Sequence, residues 1–324
     1  MLYIDFGDVM NILKYTDDRR EEWNLFNKNS KQPLFMFDRG FMEYHKERFI
    51  DHSLMFYNDK GELIAILPMS EHDDEVVSHG GLTYGGFITD SNMKQHTMLE
   101  CFDLLLEYLR YNGFTRLIYK VIPHFYHKQP SEEDRYSLFV HNFNIRKIEP
   151  STVIDLKNPL KMPKGRKAQI SRAKREGVIV KELFSEADFQ RFIKLENEVL
   201  QKHHGTTAVH TGGELSMLKG LFPDNIHLFG AFMNDEIIAG TLLFEYDKGI
   251  HTQYLAANDI ARRIGALDYT VSEVISKYRD SKSWLDFGIS TENNGHLLNN
   301  GLISQKEGFG GRTITYETWV IDIR

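Results

Sequence analysis

The order of apolar and polar positions divides the chain into short elements whose period changes between about two and about 3.6 residues. Leu54-Met55-Phe56-Tyr57 and Leu63-Ile64-Ala65-Ile66-Leu67 flank Asn58-Asp59-Lys60-Gly61, which predicts a β-hairpin, because Asn, Asp and Gly accept the left-handed backbone of a tight turn. A helical period follows from Met93 to Arg110 and stops at Asn112-Gly113. Arg116–Val121 is the next expected strand, Ser131–Phe139 a short helix and Asn144–Leu156 a strand. Residues 1–50 mix aromatic and charged positions without a clean period, apart from one short helix at Phe41–Phe49.

Lys157–Gly165 carries two prolines and a glycine, which neither a helix nor a central strand accommodates, so a domain boundary is expected there. Beyond it the pattern predicts a basic helix at Arg166–Glu176 and a strand at Val178–Glu182. A helix at Glu186–His203 capped by Ser185 follows, then one opened by the Thr211-x-x-Glu214 capping box. Three strands come next, at Ile226–Met233, Ile237–Tyr246 and Ile250–Ala256, then one long helix at Arg263–Arg279. The strand Trp284–Gly288, a short helix ended by Gly308 and a strand at Arg312–Ile323 complete the chain. The halves rhyme: the turn at Asn58 has a counterpart at Asn234, and Leu117 opens a strand as Leu285 does. That self-similarity points to duplication of one α/β unit, as domains 1–157 and 164–324.

A length of 324 residues, 41% hydrophobic, fits two packed cores. The net charge of −7 argues against a generic nucleic-acid coat. The single cysteine, Cys101, falls within a helical pattern and fits a reducing compartment. Met1-Leu2-Tyr3-Ile4-Asp5 has neither a basic segment nor an apolar run, and no membrane span is legible, so a cytoplasmic protein is expected.

The chemistry-bearing stretch is Trp284-Leu285-Asp286-Phe287-Gly288 followed by Gly301-Leu302 and Lys306-Glu307-Gly308-Phe309-Gly310-Gly311. A strand that ends in a loop leaves backbone donors and acceptors without ladder partners, and α/β sheets bind ligands at such ends. Together with Lys167–Val178 and the glycine-rich Ser78–Gly86, these segments resemble the GNAT acyltransferase fold, specifically its FemAB-related branch with two such domains in one chain. The resemblance is carried mainly by residues 164–324. It implies an α/β (α+β) fold of two tandem GNAT-like domains, each a mixed, mostly antiparallel sheet flanked by helices, the first degenerate. It also implies transfer of an acyl group to a small-molecule or peptide amine, from acyl-CoA such as acetyl-CoA in one branch and from aminoacyl-tRNA in the other.

Within that resemblance Lys306 matches the lysine that Fem-type ligases place near the acyl carbonyl; a solvated lysine in the last turn of a helix, favoured by the helix dipole, is the alternative. Asp286, expected to face the same cleft, would deprotonate or orient the amine, or merely cap a loop. For donor phosphate, Arg262, Arg263, Gly265 and Ala266 stand where CoA-dependent members carry Arg/Gln-x-x-Gly-x-Gly/Ala, but Leu267 replaces the last small residue. The basic run Lys164, Arg166, Lys167, Arg172, Lys174 and Arg175 would steer a polyanionic donor or be a solvated helix face. Absence of a helical-arm insertion counts against the tRNA branch. His203, His204 and His210 lack metal-ligand spacing, so no metal is expected, and a non-catalytic ligand-binding module of two GNAT-like domains is the competing reading.

Overall fold

A computed structural model describes residues 10–323, so Met1–Asp5 and the absence of an export signal read there lie outside it, as does the His204 side chain. Two compact units emerge. The first comprises the chain up to Glu149 with Asn294–His296 and the segment from Thr315; the second comprises Pro150–Asn293 and Leu297–Ile314. This division differs from the expected one at 157/164, and for a physical reason. The two longest strands, Asn144–Asp155 and Arg312–Asp322, look like single units in sequence, yet their ends pair in different places.

In the first unit, β1 (Asn11–Lys14), β2 (Leu54–Tyr57) and β3 (Leu63–Leu67) form an antiparallel sheet, with the hairpin where the Asn58–Gly61 turn placed it. Helices α1 (Arg20–Asn29) and α2 (Gln95–Tyr111) are long enough to carry buried faces. On α2 the buried residues are Met98, Cys101, Phe102, Leu105 and Leu109, a spacing of three, one, three and four that forms one helical stripe. The stripe closes a core with Phe56, Phe87, Leu117 and Tyr119, so Cys101 is a packing residue, and burial pushes its thiol far above the ordinary range. Strand β4 (Glu75–Val77) runs parallel to β5 (Arg116–Lys120), with α2 between them in sequence. α3 (Glu133–Val140) follows, then β6 (Asn144–Asp155), which enters the second unit at Pro150.

The second unit continues with α4 (Lys164–Arg175), β7 (Ile179–Leu183), α5 (Glu186–His204), α6 (Gly212–Leu221), β8 (Ile226–Met233), β9 (Glu236–Glu245) and β10 (Gly249–Ala257). Ser185 and Thr211 both form capping boxes, with Asp188 and Glu214 respectively. Strands β7 to β10 are antiparallel in order. After α7 (Asp259–Ile264) and α8 (Ala266–Tyr278), β11 (Trp284–Ile289) runs parallel to β10 and antiparallel to the Ser151–Asp155 end of β6. α9 (Asn300–Glu307) and β12 (Arg312–Asp322) finish the chain, the end of β12 pairing with β5. In each unit a helical crossover lies in sequence between two parallel strands. On one sheet face Ala173 of α4 and Val271 and Val274 of α8 pack with Ile250 and Leu285. On the other, α5 covers β9 and β10, and Phe192 lies 3.0 Å from where a side chain on Gly240 would begin.

One expected helix is two. The pattern from Arg263 onward reads as continuous, but Gly265 adopts a left-handed backbone (φ +80°), ending α7 and opening α8. A methyl group there would sit 2.7 Å from the carbonyl oxygen of Gln169, so Gly265 lets α4 approach the break. Gly177, at φ +78°, has open space around the same position. Gly177→Ala is therefore expected to carry only the left-handed penalty, about 1–2 kcal/mol, whereas Gly265→Ala adds the crowding term, about 1–3 kcal/mol more. Urea unfolding of the two variants measures the difference; equal destabilisation would show that α4 does not bear on Gly265.

Candidate active site

The site begins where a ladder stops. β10 and β11 pair at only three positions, Gly249 with Trp284, Ile250 with Leu285 and His251 with Asp286, after which β10 runs on to Ala257 without β11. At the point of parting Gly288 takes a left-handed backbone (φ +72°). A β-carbon there would lie 3.3 Å from His251 Cε1. The carbonyls of Gly288 and Ile289 consequently need a donor from outside the ladder. Lys306 on α9 supplies it: Nζ donates to Gly288 O at 2.9 Å and to Ile289 O at 2.6 Å. The residue is 4% exposed, so it is no solvated lysine at a helix end. Burial depresses its ammonium to about 8, an effect the nearby Asp286 carboxylate opposes.

Asp286 is placed differently from expectation. Leu285 and Phe287 face the core shared with α4 and α8, so the side chain between them turns to the other side of the strand, where it has no exposed surface. Its Oδ1 accepts from Ser151 Oγ at 2.5 Å and from the Gly288 amide at 2.9 Å, while Oδ2 lies 2.7 Å from His251 Nδ1. That carboxylate fixes the strand exit and the His251 ring. It is not among the residues that line the cleft with Lys306.

The cleft has a volume of about 560 Å³ and opens beside the parted strands. Leu255 and Ala257 of β10, Phe287 of β11, Leu267 and Val271 of α8, and Val199 and Leu200 of α5 form its apolar walls. Arg166 crosses from α4: it donates to Gln305 O at 2.8 Å, stacks 4.3 Å over the Phe309 ring and pairs with Asp268. From the basic run, then, Arg166 is a wall of the site and not part of a solvated face. Its guanidinium is depressed by the same desolvation.

Of the four residues expected to hold donor phosphate, Arg262 lines the cleft, with Nε donating to Ala257 O at 3.1 Å. Arg263 is exposed and is not part of the lining. Gly265 and Ala266 are buried, the former against Gln169 and the latter in the core with α4. His203 lines the cleft, whereas His210 is held by Tyr254, Nδ1 to Oη at 2.7 Å. Among the described residues no group of three or more His, Cys, Asp or Glu is arranged to hold a metal ion, and no helix is long and apolar enough to cross a membrane.

One residue of the cleft escapes the sequence reading. Glu196 is 5% exposed, and its Oε2 has no hydrogen-bond partner among the described residues. Desolvation alone raises it to about 7. Its signal was in the helix pattern: Phe189, Phe192 and Ile193 before it, and Val199 and Leu200 after it, mark an apolar stripe on which a carboxylate is out of place.

Residues 164–294 match the family model of the acetyltransferase (GNAT) domain. No curated protein matches the chain in sequence. Among solved structures, FemX aligns with a TM-score of 0.67 and 10% identity over 96% of this chain and 97% of that one. L-PGS from Bacillus licheniformis aligns at 0.63 and 15% identity over 98% and 93%. A tandem GNAT protein from the clavulanic acid biosynthesis pathway aligns at 0.55 and 10% identity over 97% and 99%. At such identities the likeness to solved structures is one of fold, and it extends over both units. The second unit thus carries the match to a GNAT acetyltransferase domain, within a chain whose fold as a whole is similar to those of FemX and the tandem GNAT protein.

Proposed function

We propose that the cleft of the second unit transfers an acyl group from acyl-CoA to an amine, with Lys306 polarising the acyl carbonyl. The observation that carries this reading is the buried ammonium anchored on Gly288 O and Ile289 O at the mouth of two parted strands. A cation in a site shielded from water stabilises a developing oxyanion far more than one in bulk solvent. Arg262, on the cleft, and Arg263 beside it are the groups that would meet donor phosphate. Asp286 is a positioning residue in this scheme. By holding the Gly288 amide and His251 it sets the strand end from which the lysine hangs.

A second reading of the donor is an aminoacyl ester, as on the acceptor end of a tRNA. It is favoured by Gly265 and Ala266, which are occupied by packing against α4 where a CoA-dependent site would cradle pyrophosphate. The acceptor in either case is a small-molecule or peptide amine.

Lys306→Met is expected to lower kcat/KM by about 10²–10³, the effect of removing one oxyanion donor, and to lower the melting temperature as well, because the Gly288 and Ile289 carbonyls lose their donor, with the variant still folded. A folded, fully active variant would remove the assigned role. Because Lys306 is cationic below its depressed value of about 8, activity should fall as pH rises through that value, and Lys306→Arg should move this limb to higher pH. Thermal shift with acetyl-CoA and with a non-hydrolysable 3′-aminoacyl-adenosine analogue separates the donors. Stabilisation by acetyl-CoA that is lost in Arg262→Ala/Arg263→Ala supports the first reading; a response to the adenosine analogue alone selects the second. No response to either overturns both.

A further inference from the structure

Resting on acyl transfer in this same cleft, we propose that Glu196 is the base of the reaction: its carboxylate binds the ammonium of the acceptor and takes the proton that must leave before the nitrogen can attack. The evidence is geometric first. Glu196 stands on the cleft wall that Lys306 also lines, is 5% exposed, and keeps Oε2 without a hydrogen-bond partner. A buried carboxylate with no partner is held at a cost that a ligand cation would offset.

The charged and titratable groups around it are otherwise engaged. From α4, Arg166 is tied to Asp268 of α8 and to Gln305 O; from α7, Arg262 donates to Ala257 O; from α9, Lys306 grips Gly288 O and Ile289 O. On β10 the Tyr254 hydroxyl meets His210, and His203 lies on the same helix two turns further along. Among the described residues none of these cations forms an ion pair with Glu196, so an incoming amine meets an uncommitted carboxylate.

The proton balance is complete. An ammonium, R–NH3⁺, gives one proton to Glu196 and becomes R–NH2. The nitrogen attacks the acyl carbon, forming the C–N bond, and the negative charge moves to the oxygen facing Lys306. Collapse breaks the donor's C–S or C–O bond, and a second proton from the nitrogen passes to the departing sulfur or oxygen. Burial lifts Glu196 to about 7, close to the pH at which such a base works best. The acceptor class is therefore an amine that is cationic in solution, entering with its carbon chain along Val199 and Leu200.

The test uses the full chain labelled with carboxyl-¹³C glutamate, Glu196→Gln identifying the Glu196 signal and Glu196→Asp serving should that variant fail to fold. Titration is run alone, with ethylammonium and with tetramethylammonium as probes. Glu196 is expected to titrate near 7, and ethylammonium to move its midpoint down by a factor of about ten in proton affinity, while tetramethylammonium, which has charge but no N–H to donate, moves it less. A midpoint in the ordinary carboxylate range, or no response to ethylammonium, overturns the proposal. With a transferring donor, Glu196→Gln should lower kcat about 100-fold or more and abolish the acid limb of the pH profile, with donor-induced stabilisation intact. An unchanged pH profile would overturn the assignment. Failure of the acyl-transfer reading has a separate signature: donor-induced stabilisation is then absent while the ammonium titration is unaffected.

Discussion

The second unit depends on the early end of one parallel ladder. Three paired positions hold β10 to β11, and beyond His251 and Asp286 the strands separate. A parting inside a sheet exposes backbone groups that must find partners, since an unpaired buried carbonyl is expensive. The glycine at 288 makes the turn-away sterically accessible, Asp286 takes up its amide, and Lys306 takes up the two carbonyls. The group that satisfies the two carbonyls is also the one to which the proposed function assigns the acyl oxygen, so structure and candidate site meet at this point.

The electrostatics of the cleft follow from how deeply its charged groups are buried. Desolvation pulls Lys306 down to about 8 and pushes Glu196 up to about 7, which brings two side chains of opposite charge and very different ordinary ranges close together on the pH scale. In one case the cause is opposed by a neighbouring carboxylate, in the other by nothing. Arg166 shows how the same environment is managed when a charge is structural: it is given a carboxylate, a carbonyl and an aromatic face at once.

Local chemistry was legible in the sequence wherever it was decided by neighbours in the chain. The Asn58 turn, the Ser185 and Thr211 capping boxes and the stripe on α2 each state their element within a few residues. The motif singled out Lys306, but not its burial or its grip on the Gly288 and Ile289 carbonyls. What escaped was set by partners distant in sequence. Gly265 interrupts a helix through its left-handed backbone, and the Gln169 carbonyl that its missing side chain lets in lies far away in the sequence. Which side of β11 the Asp286 carboxylate takes was not legible, because that strand is buried on both faces and alternation gives no sign of which one opens to the cleft. Glu196 was overlooked since a helix reading counts its apolar positions and passes over the charge among them.

The grip of Lys306 on Gly288 and Ile289 has a stereochemical consequence. An ammonium carries three hydrogens, and anchoring two of them stops it spinning about its last carbon bond, so the remaining one is aimed along a single direction. On the proposed function, an acyl oxygen accepting that hydrogen would have the plane of its group restricted before any acceptor arrived, and the strand end with the rest of the pocket wall would select which face is open.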